Sequence, residues 1–492
     1  RVTSALMKTY FDGKVHNWPL LSSIYGASGR RDYSAVTRET PYIPLAKNAG
    51  VVTLNPEQAE AVARYNCDSC QAFAVESPPG SGKTMTAAAM AVSYRGDGVQ
   101  LFLSTANVPV INMALALAKL DYGSLKAIHF ISSEREELMT EETRSPFSVL
   151  SLAKTDEALN EKISLLEEQL KYAPNDEERD KLKTKIRHIC NPVYADKYDI
   201  FFGTVDMILG RLFKNNQGGR HRPDGIKQQL MNSVRRVVID EASQLTESAL
   251  NALILCFPQA QIVLIGDSKQ LPPFRYVRGD IISELAARSA LEVIKAKMNL
   301  PVIKLNRVYR ASPALSAHYS NVFYDGTLVS CKPESRENLL SCFGSQSAGR
   351  RCLFWKVKGY QKQSGTSKIN DAEISTLEYI VNILRNSGFD EKDVMIISYY
   401  EAQRKVAETV LPEGYEVLTV DSAQGREKKI VIVLTTRTSV PVDKGAFFSC
   451  PLRCNVAVSR HQEALIVLGH NAVGFAPNWT RVLNQKYFKH VD

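Results

Sequence analysis

No apolar run in this sequence reaches the roughly 18 to 20 residues that a membrane-spanning helix needs. The amino terminus opens on Arg1, without an initiator Met and without the apolar stretch of a signal peptide. The expectation is an intracellular chain, cytoplasmic or nuclear, and a fragment of something longer. Cysteine offers no disulfide framework: the nine residues, Cys67, Cys70, Cys190, Cys256, Cys331, Cys342, Cys352, Cys450 and Cys454, are odd in number and scattered. Cys67-x-x-Cys70 and Cys450-x-x-x-Cys454 have zinc-like spacing. No His stands at ligand distance beside the first pair, however, and the pairs fall far apart in the chain, so reduced thiols are expected. Neither sign of charge dominates. The 61 Lys and Arg against 52 Asp and Glu leave a formal +9, a mild lean toward polyanionic partners.

At 492 residues the chain is too long for one hydrophobic core. Short β-branched runs alternate with helical stretches. Gln71–Glu76, Val99–Ser104, Asp199–Gly203, Val237–Asp240 and Gln261–Gly266 read as buried strands of one parallel sheet. Cys352–Val357, Val394–Tyr399, Val417–Val420, Ile430–Thr435 and Ala464–Gly469 read as a second, with helices such as Glu373–Arg385 between them. The pattern predicts an α/β fold of two parallel-sheet lobes, 53–300 and 301–492, with the boundary near Pro301 and residues 1–52 unassigned. The charged segment 132–198 interrupts the first series. Leu159, Ile163, Leu166 and Leu170, then Leu182, Ile186 and Ile189, recur at helical spacing on either side of Pro174-Asn175-Asp176, which predicts an inserted helical hairpin. With that second set turned inward, Lys183 and Arg187 would share an outward face able to meet phosphate.

Ser77-Pro78-Pro79-Gly80-Ser81-Gly82-Lys83-Thr84 lies between a strand and an Ala-rich helical run, the context of a P-loop. Backbone amides of Gly80, Ser81 and Gly82 can cradle a β-phosphate, Lys83 can reach the β and γ oxygens, and the Thr84 hydroxyl suits magnesium. Ser77 replaces the usual first Gly, which a position needing no positive φ tolerates. Downstream, the apolar run ending in Asp240 and Glu241 brings two carboxylates to a strand end, where solvation cannot easily account for them. Asp240 suits the magnesium shell and Glu241 the base that orients an attacking water. Asp267 and Gln270 follow another strand end and can sense a γ-phosphate. Gln58 offers a side-chain amide to an adenine edge. Arg310 and Arg460 stand where arginine fingers would complete an ATP site between the lobes.

Ten segments in order carry a resemblance: LNPEQ at Leu54, SPPGSGKT at Ser77, STAN at Ser104, FGTV at Phe202, DEASQ at Asp240, GDSKQLPP at Gly266, YRASPALS at Tyr309, FYDGTL at Phe323, TVDSAQGRE at Thr419 and RCNVAVSR at Arg453. They resemble the superfamily 1 helicases, and within these the branch of the nonsense-mediated-decay RNA helicase, over roughly residues 53 to 472. The resemblance implies two RecA-like lobes of P-loop NTPase type. It implies ATP hydrolysis, with magnesium, coupled to 5′-to-3′ translocation on single-stranded nucleic acid. It also implies Tyr309 flanking the adenine, Glu427 near the nucleotide, and Thr105, Asn107, Thr204, Tyr399 and Ser422 facing the strand, with Tyr399 able to stack on bases. A monomeric motor working with RNA-processing or RNA-surveillance proteins is the expected setting.

Val308 departs from the family pattern where Gln is common, Ala423 where an aromatic is usual, and Cys450 and Leu452 where Asp and Arg are usual. These departures bear on coupling and leave the catalytic charges in place. Single-stranded RNA is favoured by branch alone, and a DNA helicase of the same superfamily stays open. So does an ATP-gated RNA clamp or scaffold that binds without productive unwinding.

Overall fold

The computed structural model describes Leu20, 42–45 and 50–491, apart from 133–134, 137–138, 141–142, 214–224, 275–287, 298–299, 335–338, 345–346, 348 and 440–446. Nearly all of the unassigned segment 1–52 therefore lies outside the described residues. The chain divides into two compact units. The first comprises Arg1–Glu76, Lys83–Gly266 and Pro272–Leu305, and the second Ser77–Gly82, Asp267–Leu271 and Asn306–Asp492.

The first unit is built on seven strands: β1 (Ala72–Glu76), β2 (Val99–Ser104), β3 (Ala127–Phe130), β4 (Ile200–Thr204), β5 (Val234–Asp240), β6 (Gln261–Gly266) and β7 (Val302–Lys304). Their order is β3-β4-β2-β5-β6-β1-β7, and every pairing is parallel. Alternate residues feed two cores, one on each face: Phe73, Val75, Phe102 and Val238 on one side, Ala74, Leu101, Val237 and Ile239 on the other. Burial on both faces is why these strands read as continuous apolar runs. The first core is closed by α1 (Pro56–Tyr65), α2 (Lys83–Ser93) and α3 (Asn107–Ala118), through Val62, Ala87 and Val110 among others. Because Val302–Lys304 pairs with β1, this unit runs on to Leu305, past the expected boundary.

The predicted insertion is a helical hairpin, α4 (Glu157–Lys171) and α5 (Asp176–Ile189), with Asp156 and Asn175 as side-chain N-caps. Only Ile163 and Leu182 of its two arms are fully buried. The expected outward placement of Lys183 needs correction, while Arg187 is exposed as expected. Lys183 is half-buried, and both residues line a cavity of about 680 Å³ together with Glu136, Glu167 and Ile186. Lys181 and Lys185 of α5 are exposed as well. Three apolar residues in α5 are too few to fix a helix's rotation by pattern alone.

Within the first series, α6 (Val205–Phe213) follows β4 and α7 (Glu247–Cys256) follows β5, both packed on the second face of the first sheet. The main sheet of the second unit has six strands: β8 (Cys352–Lys356), β9 (Val394–Ser398), β10 (Glu416–Thr419), β11 (Lys428–Leu434), β12 (His461–Gly469) and β13 (Phe488–Val491). Their order is β10-β9-β11-β12-β8-β13, again parallel throughout. Helices α8 (Pro313–Phe323) and α10 (Pro451–Val458) cover one face and α9 (Asp371–Asn386) the other. Each unit is thus the parallel α/β layer expected of a RecA-like lobe.

Candidate nucleotide site and nucleic-acid face

In the first unit, α2 starts at Lys83, so Lys83 and Thr84 occupy its first turn, where backbone amides point outward unpaired by the helix. The Lys83 ammonium forms an ion pair with Glu241 and lies 3.4 Å from the Asp240 carboxylate. Both acids are buried, at 2% and 3% exposure. Burial raises the Asp240 carboxyl above its ordinary range, while the Lys83 charge pulls it down. Glu241 takes a left-handed backbone conformation, φ 54°, rare for a residue with a side chain. Its N–H donates to Asp240 Oδ1 at 2.8 Å, so the turn is held by the acid beside it. Gly266, at the end of β6, is what makes room: a Cβ there would lie 2.9 Å from the Ser243 nitrogen and 3.1 Å from that of Ala242.

This donor set fits magnesium. Asp240 and Thr84 offer hard oxygens, the ligand type that magnesium takes. Gln58 fits its role less simply. Its Oε1 accepts from the Asn55 N–H at 3.1 Å, and its own N–H donates to Asn55 Oδ1 at 2.8 Å, a capping box at the start of α1. An adenine edge would share Oε1 with that cap, since an amide oxygen can accept twice.

The register aligns Thr204, Ser104 and Asp240 at the carboxyl ends of β4, β2 and β5. Thr105 follows, its hydroxyl 3.4 Å from Gln244 Oε1, and Asn107 begins α3. Thr204 Oγ1 accepts the Met207 N–H at 3.3 Å at the head of α6. Thr105, Asn107 and Thr204 therefore share one sheet edge, with Thr105 and Asn107 half-exposed and Thr204 nearly buried.

In the second unit, the turn Ser77–Gly82 needs its glycines: Gly80 and Gly82 have φ 74° and 81°, and a Cβ on Gly80 would stand 2.4 Å from that of Arg310. Ser77 is not among the positive-φ residues, and its hydroxyl lies 2.8 Å from that of Ser81. The Tyr309 N–H donates to the Gly80 carbonyl at 2.8 Å, leaving the Tyr309 ring 44% exposed. Arg310 pairs with Glu427 and donates to the Ser459 carbonyl at 2.8 Å. Burial pushes the Glu427 carboxyl up, but the Arg310 charge and a hydrogen bond from Gln462 hold it below its usual range.

Arg460 is buried and donates to Gln270 Oε1 at 3.2 Å, to the Val456 carbonyl at 3.1 Å and to Ser459 Oγ at 2.8 Å. Gln270 in turn donates to Asp267 Oδ2 at 2.7 Å, which also accepts from the Tyr324 hydroxyl at 2.6 Å. Asn455 Nδ2 donates to the Tyr324 oxygen at 2.7 Å and to the Lys269 carbonyl at 2.8 Å. Sequence pattern assigns no role to Tyr324 or Asn455, although they lie in FYDGTL and RCNVAVSR. Asn455 had a signal, as the one polar residue in a fully buried apolar stretch of α10.

Tyr399 does not offer a stacking face. It is 2% exposed, packed against Phe448 and Trp479 at centroid distances of 5.0 and 5.9 Å. Ser422 is exposed, its hydroxyl 2.9 Å from that of Thr419. Of the family departures, Val308 and Ala423 are fully buried, and Cys450 is the N-cap of α10 without a side-chain cap bond, where an Asp would supply one.

Comparison with known proteins follows the same division. Two family models, both described as AAA domain, match residues 53–276 and 286–472. An uncharacterized ATP-dependent helicase of Caenorhabditis elegans is 32% identical over 52% of this chain and 17% of its own length. A regulator of nonsense transcripts 1 homolog of Arabidopsis thaliana is 28% identical over 83% of this chain and 32% of its own. The ATP-dependent helicase NAM7 of Saccharomyces cerevisiae is 27% identical over 87% and 43%. The chain thus spans less than half the length of these relatives. A solved structure, the arterivirus nonstructural protein 10 helicase, covers 91% of this chain and 79% of its own at 11% identity and TM-score 0.39, too distant to bear on the site. With both AAA-domain matches falling on the ordered segments, the chain belongs to the superfamily 1 helicases, in the branch of the nonsense-mediated-decay RNA helicase.

Proposed function

We propose that this chain is the ATP-driven motor core of a helicase that moves 5′ to 3′ on single-stranded RNA. The observation that carries the reading is the Lys83 ammonium poised on two buried carboxylates, Asp240 and Glu241, at the mouth of a P-loop helix. Bound ATP and magnesium supply the phosphoanhydride and the divalent charge that polarises it. Thr84 and Asp240 would hold the metal, Lys83 would neutralise the β and γ oxygens, and Glu241 would orient the water and take its proton. Arg310 and Arg460 stabilise the charge that spreads in phosphoryl transfer, and Gln270, bonded to Arg460, ties that charge to the Asp267 network. Gly82 is covalently joined to Lys83, so the loop whose Gly80 bonds Tyr309 is continuous with the helix that carries the ammonium.

Thr105, Asn107, Thr204 and Ser422 are the groups that grip phosphates under this reading, in a monomeric motor working with RNA-surveillance or processing proteins in cytoplasm or nucleus. ATP turnover measured with and without single-stranded RNA and DNA of one sequence is the test. Stimulation by RNA above DNA supports the reading. Equal stimulation removes the RNA preference, and none by either removes the motor. Duplexes with 5′ or 3′ overhangs then separate the alternatives: displacement from the 5′ overhang alone gives the direction, and ATP-dependent binding without displacement makes the chain a clamp.

A further inference from the structure

Arg310 is held at both ends. Its guanidinium meets Glu427 and the Ser459 carbonyl, while its backbone is held by a separate clamp, the stretch Val329–Lys332 just past FYDGTL. Val329–Ser330 forms a parallel pair with Arg307–Val308. The Val329 N–H donates to the Asn306 carbonyl at 2.9 Å and the Cys331 N–H to that of Val308 at 2.7 Å. Side chains continue the clamp where the strands end: Ser330 Oγ donates to the Ala311 carbonyl at 2.7 Å, and Lys332 Nζ to the Arg310 carbonyl at 3.2 Å. The same ammonium forms an ion pair with Glu463 and reaches the Gln462 carbonyl at 3.4 Å. Gln462 donates its side-chain amide to Glu427 at 2.9 Å, and Glu427 is the carboxylate that pairs with Arg310. The bonds thus close a ring through Arg310, Glu427, Gln462 and Lys332 that includes both the guanidinium and the backbone carbonyl of one residue.

We propose that Lys332 is a positioning residue for ATP hydrolysis, fixing the backbone of Arg310 so that its guanidinium meets the developing charge without reorganisation. An ammonium carries one donor for each of the acceptors that Lys332 meets on Arg310, Gln462 and Glu463. It has none left for a phosphate and acts only through its neighbours. Both flanks of the finger are then tied, since the Tyr309 N–H is bonded to the Gly80 carbonyl and the Arg310 carbonyl to Lys332. The fit between these ties is close: a Cβ on Gly80 would collide with that of Arg310. A guanidinium on a long, flexible stem loses its aim when the backbone under it shifts, and a misplacement of about 1 Å costs up to about 10²-fold in rate. The proposal deepens the proposed function and rests on its reading of Arg310.

A double-mutant cycle on steady-state ATP turnover is the test. Lys332→Met keeps the stem and removes the ammonium, and it should lower kcat by about tenfold to a hundredfold while KM for ATP and ADP affinity stay unchanged. In an Arg310→Ala background the same change should cost nothing further, because the residue it positions is gone. Ser330→Ala removes the neighbouring tie without touching charge and should repeat this pattern at smaller amplitude, which decides the matter even where Lys332→Met fails to fold. Unchanged kcat in the single variants, losses that multiply in the double variant, or a fall in ADP affinity that matches the fall in rate overturn the positioning role, leaving the finger reading intact. Arg310→Ala with unaltered turnover, or no turnover in the unaltered chain, overturns the proposed role of Arg310 itself, and the positioning role with it.

Discussion

At the scale of single residues, the Lys83 ammonium serves two acids that differ in what they can do. Asp240 is fixed by its own bond to the Glu241 N–H, whereas Glu241 sits on a left-handed turn that aims its carboxylate independently of the strand. Lys83→Ala should weaken nucleotide affinity and remove nearly all turnover, because it deletes the charge that meets the phosphates. Glu241→Gln should also remove turnover yet keep ATP bound, because the amide preserves shape but cannot take a proton. Single-turnover hydrolysis alongside equilibrium ATP binding separates the two, and near-normal turnover in Glu241→Gln would rule it out as the base. Arg460 is a different case, since its guanidinium is already occupied by Gln270, Val456 and Ser459. Such preorganisation costs little at the moment of reaction, so Arg460→Ala should lower the rate by about 10³-fold while ADP affinity stays within error. A parallel fall in ADP affinity, read by titration, would make Arg460 a support for the Asp267 network rather than a finger.

Elements behave less uniformly, and the hairpin α4–α5 shows why. It is held by two fully buried side chains, Ile163 and Leu182, by partly buried Leu159, Ile186 and Ile189, and by the Lys154–Glu167 ion pair of 2.8 Å. Ile163→Ala should cost the hairpin about 2 to 4 kcal/mol, a large part of what so small a contact supplies. Hydrogen exchange should then show lost protection across 157–189 with β1 and β5 unaffected; loss spreading into the sheet would show that the hairpin is not a separate element. The hairpin was legible because its leucines and isoleucines repeat over four turns. The central strands were legible for a related reason, since burial on both faces leaves β-branched runs that little else produces. The strands that escaped, β3, β7 and β13, are edge strands of three or four residues, too short to show a period. The acids at the end of β5 stood out against their apolar run, and the P-loop against its helix. Tyr399 misled because an aromatic at a strand end reads alike whether it turns to solvent or to Trp479. Tyr324 and Asn455 escaped because their importance lies in partners far away in sequence.

Across the whole molecule, buried histidines set the response to acid. Burial pushes His129 down to about 3 and His318 to about 4, and His461 falls well below its ordinary value, with His318 and Arg310 adding to the effect. Each stays neutral in the folded chain while the unfolded chain takes up a proton below about 6.5. Their contribution to stability is therefore complete above that pH and is lost as pH falls from about 6.5 toward the folded values. Glu373 runs the other way. Burial raises it to about 7 against the hydrogen bonds from Thr436, Thr435 and Gln403, so its contribution is present below about 4.5 and is lost as pH rises through 7. Opposing groups blur the total curve, but His129 can be isolated. It lies on β3, 1% exposed, 6.0 Å from the Phe202 ring, and neither ring nitrogen has a hydrogen-bond partner among the described residues. His129→Phe should keep the aromatic packing, remove a buried polar group worth about 1 to 3 kcal/mol when unsatisfied, and delete one titrating site. The first unit of the variant should be more stable at pH 7. Between pH 6.5 and 4.5 it should lose about 2 to 3 kcal/mol less than the unaltered chain, one proton's worth over two pH units. Urea unfolding of the first unit across that range reads the difference directly, and parallel curves for the two chains would mean that the His129 ring is not held neutral by burial.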